Sequence, residues 1–301
     1  MPPRKSSRPE IGLIGSINRD TIHRADGSRV TSWGGILYNI KFLCESGTVE
    51  VKPAANVGDD GFAAINRILE KFPDLDRSLI RRVPEKNNHC FLYYHDQAHK
   101  CEILKGGVRP LTYSSLKPLL ECDLVLVNFI SGRDVELAAL EHFRRQYSGL
   151  IYMDVHSLTL GRRRVVGGVG RWLRRPRFWD RYARCADFIQ VNRKEFEIVS
   201  GIAFSPKAAR DYWRDELPHT LALIITLGAE GACIIHRKKR QVRTVRVTAP
   251  WIKIVYDTTG CGDAFAAGFN LAYLSGKDAA VAAREGCRIA ASRCRIKGAV
   301  F

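Results

Sequence analysis

The chain has 301 residues, of which 46% are hydrophobic and 26% charged, and this composition excludes disordered, collagen-like and coiled-coil proteins. Lysine and arginine number 48 against 31 acidic residues, and the resulting net charge of +17 bears on partners rather than on the fold. The nine cysteines form no CxxC pair and no metal-finger spacing, so we expect reduced thiols in a cytoplasmic protein. The first apolar run is too short for a signal peptide or a membrane span, so we expect no membrane partner.

Short apolar runs alternate with stretches of helical periodicity through most of the chain. Strands and helices that alternate in this way predict a mostly parallel sheet with helices on both faces. The predicted strands are residues 10–16, 49–58, 123–128, 149–155, 186–191 and 221–226. The predicted helices are residues 36–45, 61–72, 134–146, 193–200, 206–216, 261–275 and 278–295, and a hairpin is predicted at 231–247.

Two amphipathic hairpins do not follow this alternation. One is predicted over residues 21–33, where an Asp-Gly pair separates two alternating stretches, and the other over residues 89–104. We expect both to form a small β-sheet that stands off one large domain as a lid. The expected core is residues 1–20, 34–88 and 106–301, and the expected lid is residues 21–33 and 89–105.

The most informative run of the sequence is YDTTGCGDAF, at residues 256–265. Gly260 and Gly262 stand just before a helix, and Asp263 lies in its first turn. Amide groups at a glycine-bearing helix start bind anions such as phosphate, helped by the helix dipole. A carboxylate beside that anion could take the proton of a hydroxyl that attacks phosphorus. The alternative is that Asp263 only stabilises the helix, by about 0.3–1 kcal/mol, and for a lone GxGD pattern this alternative is favoured.

The longer run DTTGCGDAF resembles the second signature of the ribokinase-like (PfkB) family of sugar and nucleoside kinases. The resemblance implies a three-layer α/β/α fold with a mostly parallel central sheet and a small discontinuous β-sheet lid. It also implies that Asp263 is the catalytic base and that the turn of Gly260, Cys261 and Gly262 is the anion hole. The family usually has alanine at the position of Cys261, and a thiol there could make the enzyme sensitive to oxidation.

Three further stretches resemble family motifs in the same order, so the resemblance extends from about residue 10 to residue 299. They are GSINRD at 15–20, the Gly-Gly pair with an asparagine four residues on, and VGDDGF at 57–62. The resemblance implies a substrate site made of Asn18, Asp20, Gly34, Gly35 and Asn39. A lone Asp after a strand is usually a turn residue, whereas a sugar needs groups that pair with its hydroxyls. The hairpin at 89–104 would close over this site and exclude water.

The NRKE run at 192–195 resembles the family's N-x-x-E motif. Asn192 and Glu195 share a helix face, so they could together orient water around Mg²⁺. Taken alone, the same spacing is more often a helix-capping pattern.

The TLGAEG run resembles the family's nucleotide-binding turn, which implies that Thr226, Gly228 and Gly231 contact ATP. As a bare pattern it fits equally well a turn between two strands. Asp257 and Thr259 match family ligands of a monovalent cation such as K⁺.

An arginine-rich segment at 161–185 carries nine arginines against one acid, with aromatic residues between them. We favour a solvated, charged helix whose aromatic residues face the core. An arginine cluster for a phosphorylated or otherwise acidic substrate is the second interpretation, and nucleic-acid binding is the least favoured. His156, after the strand at 149–155, is interpreted as a hydrogen-bonded loop histidine rather than a catalytic one.

These observations together predict an ATP- and Mg²⁺-dependent kinase that phosphorylates a hydroxyl of a sugar or sugar-like small molecule. A nucleoside kinase of the same family is the first alternative. A basic nucleic-acid-binding or regulatory protein on a kinase-like fold is the alternative from another class. Members of the family often pair through their lids, so a homodimer is a further expectation.

Overall fold

The computed structural model describes residues 8–23, 26–94, 100–239 and 241–296. Its strands are β1 (Glu10–Ile14), β2 (Arg19–His23), β3 (Arg29–Trp33), β4 (Glu50–Gly58), β5 (Ile80–Val83), β6 (His89–Tyr94), β7 (Lys100–Lys105), β8 (Leu124–Asn128), β9 (Leu150–Asp154), β10 (Leu160–Val165), β11 (Gly168–Leu173), β12 (Phe188–Asn192), β13 (Ala222–Thr226), β14 (Ala232–Lys238) and β15 (Gln241–Val247). Its α-helices are α1 (Leu37–Glu45), α2 (Asp59–Leu69), α3 (Tyr113–Leu116), α4 (Leu137–Gln146), α5 (Trp179–Ala183), α6 (Arg193–Ser200), α7 (Pro206–Glu216), α8 (Cys261–Leu274) and α9 (Ala279–Arg293).

The main sheet has the order β15-β14-β13-β12-β9-β8-β1-β4-β5. All of its neighbouring strands from β13 to β5 run parallel, and β14 and β15 add an antiparallel edge. The predicted mostly parallel sheet is therefore confirmed, and so are the predicted hairpin at its edge and the helices that alternate with its strands.

Two apolar clusters pack on opposite faces of the main sheet and make the three layers. Strand β8 shows why, because successive side chains of a strand point to opposite faces. Val125 and Val127 join the cluster with α4, α6 and α7, whereas Leu124 and Leu126 join the cluster with α1, α8 and α9. No helix within the described residues is long and apolar enough to cross a membrane.

The second, smaller sheet has the order β10-β11-β7-β6-β2-β3. Both hairpins predicted at 21–33 and 89–104 are present, as β2 with β3 and β6 with β7. A third hairpin, β10–β11, pairs through β11 with β7 and was not predicted. The division into a core and a lid stays a prediction. If the boundary follows the two sheets, residues 160–173 belong to the lid.

Hairpin β10–β11 corrects our interpretation of the arginine-rich segment, because residues 160–173 form two strands rather than a charged helix. Gly167, in the turn, has a φ of +85°, a conformation that glycine adopts without steric cost. The flanking valines favour strands over a helix, because their branched side chains pack well on a pleated sheet. The helical part of this segment is the short α5, whose Trp179 is buried.

Candidate active site

Polar residues end four neighbouring parallel strands of the main sheet. Asn128 ends β8, Asp154 ends β9, Asn192 ends β12 and Thr226 ends β13. Because the carboxyl ends of parallel strands meet at one edge, these side chains converge there, at the edge where open α/β sheets bind their ligands.

A cavity of about 360 Å³ lies at this edge, between the main sheet, the small sheet and the start of α8. Ten of the site residues predicted from the sequence line it, namely Asn18, Asp20, Gly35, Asn192, Glu195, Thr226, Thr259, Gly260, Gly262 and Asp263. The other six, all within the described part of the chain, lie outside its wall, and they are Gly34, Asn39, Gly228, Gly231, Asp257 and Cys261. The roles assigned to the ten residues stay predictions, but the structure does bring these residues together.

The anion loop, residues 257–262, runs into the N-terminus of α8. Gly260 caps this helix with a φ of +80°, and a Cβ on it would lie 2.6 Å from the Tyr38 ring. Only glycine therefore fits between Tyr38 and the cavity. The Cys261 amide donates to the Thr258 carbonyl at 3.2 Å, so it already has an acceptor within the turn. The amides of Gly260 and Gly262 are the candidate anion donors, and the role predicted for Cys261 stays a prediction.

Asp263, in the first turn of α8, is buried but reaches the wall of the cavity. Its Oδ1 accepts a hydrogen bond from Asn128 Nδ2 at 2.6 Å. Burial raises the pKa of the Asp263 carboxyl, and the nearby His156 opposes part of this rise. A carboxylate of raised proton affinity, facing a cavity and held by a neutral amide, is suited to accept a proton.

A buried polar network supports the loop from below. The Tyr152 hydroxyl donates to Gln190 Oε1 at 2.6 Å, and Gln190 Nε2 donates to Asp154 Oδ2 at 2.7 Å and to the Gly262 carbonyl at 3.3 Å. Burial raises the pKa of Asp154 well above its usual range, and the charges of Glu195 and Asp263 add to this effect. No role was predicted for Asn128, Asp154 or Gln190. Asn128 and Asp154 could have been found as polar residues at the ends of neighbouring strands, whereas Gln190 lies in the middle of β12.

Asn39 has a different place from the one predicted. It is fully buried, its Nδ2 donates to the Asp263 carbonyl at 3.0 Å, and its Oδ1 accepts from Asn128 Nδ2 at 2.9 Å. Asn39 therefore contacts the start of α8 from behind and does not line the cavity, and its role in substrate binding stays a prediction. Gly34 also lies outside the wall, and a Cβ on it would be 2.4 Å from Asp20 Oδ2, so the glycine leaves room for that carboxylate.

The small sheet adds Glu102 of β7 to the cavity wall. Its carboxylate pairs at 3.1 Å with Arg171 of β11, whose buried guanidinium also donates to the carbonyls of Ser131 and Ser157. The hairpin β10–β11 thus reaches the site through one buried arginine that fixes a wall residue.

Asn192 and Glu195 form the capping box that the sequence left open as an alternative. Asn192 Oδ1 accepts from the Glu195 amide at 2.9 Å, and Glu195 Oε2 accepts from the Asn192 amide at 2.8 Å. Both residues also line the cavity. No group of three or more His, Cys, Asp and Glu side chains is arranged to bind a metal ion anywhere in the described residues. A buried Glu195 carboxylate suits a hydrated Mg²⁺, which takes only one or two protein carboxylates.

The TLGAEG run is a turn between β13 and β14, as its alternative interpretation held. Gly231 has a φ of +95°, and a Cβ on it would come within 1.9 Å of the Val247 carbonyl. Gly228 also has a positive φ, and both glycines shape the turn outside the cavity wall, whereas Thr226 lines the cavity.

Five carboxyl side chains line the cavity, and no lysine or arginine does so among the described residues. They are Asp20, Glu102, Asp154, Glu195 and Asp263. His156 also lines the cavity, with a φ of +33° and its Nδ1 2.9 Å from the Ser157 hydroxyl. The wall is therefore acidic in a chain whose net charge is +17.

Comparisons with known proteins confirm the family resemblance. The sequence model of the pfkB family of carbohydrate kinases matches residues 175–301. A search of curated proteins gives no match to this chain.

Solved structures of ribokinase-family kinases match nearly the whole chain. A pyrophosphate-dependent kinase in the ribokinase family matches with 16% identity and a TM-score of 0.78, over 97% of both chains. Ribokinase of Arabidopsis thaliana, solved with ribose and ATP, matches with 16% identity and a TM-score of 0.75, over 98% of this chain and 95% of that one. A nucleoside kinase of Burkholderia thailandensis, solved with inosine, matches with 20% identity and a TM-score of 0.72, over 96% and 92%. The chain has the ribokinase fold, and this likeness leaves its substrate open.

Proposed function

We propose that this chain, which has the fold of ribokinase-family kinases and a pfkB match in its C-terminal part, is an ATP-dependent kinase of a neutral sugar or sugar-like polyol. The observation that carries the proposal is the Asp263 carboxylate, buried yet facing the cavity beside the glycines that begin α8. Gly260 and Gly262 provide the place for the transferred phosphoryl group, because amides at a helix N-terminus attract anions.

Asp263 would act as the general base. Asn128 holds one of its oxygens, so the carboxylate is oriented when the acceptor hydroxyl lies against it. The raised pKa makes the carboxylate a stronger base, which favours removal of the hydroxyl proton as the oxygen attacks phosphorus. Mg²⁺, held through water by Glu195 and Asn192, would offset the charge of the donor phosphates when the nucleotide is bound. The small sheet would exclude water from this step.

The acidic residues of the cavity wall favour a neutral acceptor. The carboxylates of Asp20 and Asp263 would repel a phosphorylated or carboxylated acceptor, whereas carboxylates accept hydrogen bonds from the hydroxyls of a neutral polyol. Asp20 and Glu102 are on strands of the small sheet, and we assign them to the acceptor. We therefore set aside the interpretation in which the arginine-rich segment receives an acidic substrate.

An apolar surface beside the anion loop supports a nucleotide donor. Trp251 is 81% exposed, and Ile254, Val255 and Tyr256 are each more than half exposed, immediately before Asp257. Exposed apolar side chains grouped next to a phosphate site offer a surface for a base, which inorganic pyrophosphate would not need.

The test is a phosphoryl-transfer screen of the purified chain with Mg²⁺. ATP and pyrophosphate serve as donors, and neutral sugars, inositols, sugar phosphates and nucleosides serve as acceptors. We expect ADP release with a neutral polyol and little with its phosphorylated analogue. If neither donor transfers a phosphoryl group to any hydroxyl compound, the proposed kinase activity is refuted. Transfer from pyrophosphate alone would refute a nucleotide as the donor. A preference for sugar phosphates or nucleosides would refute a neutral polyol as the acceptor.

A further inference from the structure

The last turn of α9 places a buried positive charge behind the anion loop. Arg293, the final residue of α9, has no exposed surface. A charge is costly to remove from water unless it is paired and hydrogen-bonded, so its contacts indicate what holds it there.

The contacts of Arg293 are with the anion loop and its support. Nη2 lies 3.5 Å from Asp257 Oδ2, and Nη1 donates to the Ile296 carbonyl at 2.9 Å. The guanidinium carbon lies 5.4 Å from the centre of the Tyr38 ring, which packs directly under Gly260. Arg293 therefore contacts both the first residue of the loop and the ring beneath its last turn.

Asp257 transmits this contact to the loop. Its Oδ1 accepts a hydrogen bond from the Thr259 amide at 2.8 Å, which shapes the chain one residue before Gly260, while Oδ2 faces the guanidinium. Both oxygens of the carboxylate are thus engaged, one by the loop and one by Arg293.

A monovalent cation does not fit this arrangement. Such a cation would need oxygen ligands, and Arg293 directs N–H groups toward two oxygen groups here, the Asp257 carboxylate and the Ile296 carbonyl. A guanidinium is permanently charged and does not dissociate from the chain, so it offers the same sign of charge at a fixed position. The K⁺ site predicted at Asp257 and Thr259 is in conflict with this geometry.

We infer that Arg293 is a positioning residue that holds the anion loop through Asp257 and Tyr38 and makes turnover independent of monovalent cations. The expected effect on turnover rests on the proposed kinase function, whereas the expected effect on cation binding rests only on the contacts of Arg293.

The test compares potassium chloride with choline chloride at equal ionic strength, by turnover and by thermal unfolding of the full chain. Three variants accompany the wild type. Arg293→Met removes the charge, Arg293→Lys keeps it, and Arg288→Met is the matched control, because Arg288 lies on the same helix but is exposed and pairs with Glu285.

We expect wild type and Arg288→Met to show the same turnover, within about twofold, and the same melting temperature in both salts. Arg293→Met should lose about tenfold to 100-fold in turnover in choline chloride, because the loop shifts relative to the acceptor. Its melting temperature should rise when potassium replaces choline, because K⁺ can then reach the two oxygen groups. Arg293→Lys should retain more activity than Arg293→Met in choline chloride.

Activation of the wild type several-fold by potassium, or a potassium-specific rise in its melting temperature, would overturn the inference. Wild-type turnover in Arg293→Met without potassium would overturn it as well. The wild-type comparison decides the question even where Arg293→Met does not fold. A chain that transfers no phosphoryl group at all would refute the proposed function, whereas the melting comparison would still test the place of Arg293.

Discussion

The floor of the cavity contains acidic residues that are buried, whereas the hairpin β10–β11 contains basic residues that are mostly exposed. Asp154 and Asp263 are buried in the floor, where amides of Gln190 and Asn128 hold them. The hairpin is rich in arginine and largely exposed, and its buried Arg171 pairs with Glu102 of the cavity wall. A net charge of +17 therefore describes the outer surface and not the site, whose chemistry depends on a few buried groups.

Among the changes that leave the proposed base in place, oxidation should have the largest effect, and it should act on the anion loop beside the floor. The sulfur atoms of Cys261 and Cys294 lie 3.2 Å apart, so hydrogen peroxide can join them in a disulfide, with loss of two protons and two electrons from the thiols and formation of two water molecules. The bond would pull Cys261 by about 1 Å, because a disulfide is about 2 Å long. A displacement of that size in the anion loop should lower turnover by about 100-fold.

A dithiol reductant should restore turnover, and Cys294→Ser should prevent the loss. Cys101→Ser is the control, because Cys101 is exposed on the small sheet and its removal should leave the sensitivity unchanged. Burial raises the pKa of the Cys261 thiol, so the reaction should be faster at alkaline pH. A Cys294→Ser variant as sensitive as the wild type would show that this pair is not the target.

The pH dependence of turnover should report the ionisation of the Asp263 carboxyl. Asp263 must be ionised to accept a proton, and its pKa is raised, so turnover should be lost as the pH falls through that raised value. The nearby His156 lowers the pKa of Asp263, so His156→Gln should move the acidic limb of the profile to higher pH. If the acidic limb stays in place or moves to lower pH, His156 does not lower the pKa of Asp263.

The buried Asp154 carboxyl should make the stability of the fold depend on pH. The pKa of Asp154 is raised in the folded chain, so the folded state binds this proton more tightly than the unfolded state does. Its contribution to stability is then full below the unfolded pKa and is lost as the pH rises through the folded pKa, above which the buried charge is a cost. Asp154→Asn should raise the melting temperature by about 2–4 °C in alkaline buffer and by less in acidic buffer. The opposite trend with pH would mean that the carboxylate stabilises the fold.

The exposed arginines of the hairpin should matter least for turnover. Arg163 and Arg164 are exposed, so the double change Arg163→Ala, Arg164→Ala should leave turnover within about twofold of wild type. Arg171→Met is the buried counterpart and should raise the KM of the acceptor, because Glu102 loses its partner. A large loss of turnover in the double variant would place the outer hairpin in the site, and tight nucleic-acid binding that falls steeply with salt would favour the alternative function.

Much of the fold could be predicted because local signals and the global fold agree. Apolar runs such as 124–128 have strand length and end at polar residues, and the helix after Gly260 carries its own start signal. The hairpin β10–β11 could not be predicted in the same way. Its charge masked the alternation of the strands, and its partner β7 lies far away in the sequence.

The site was predicted in part for a similar reason. Motifs local in sequence placed Asp263, Glu195 and Thr226 at one cavity. Contacts between distant segments could not be read from any motif, and these include Asn39 with the Asp263 carbonyl and Arg293 with Asp257. They depend on how α1 and α9 pack against α8, which is a property of the folded chain.

Turnover of Asp263→Asn against wild type tests the central claim most directly. The account predicts a loss of about 10²–10⁴-fold in kcat with nearly unchanged nucleotide affinity, because the base is removed while the anion loop remains. Asp215→Asn, on the exposed face of α7, is the matched control and should behave as wild type. Wild-type turnover in Asp263→Asn would contradict the account, because no carboxylate at that position would then be needed to take the proton of the acceptor.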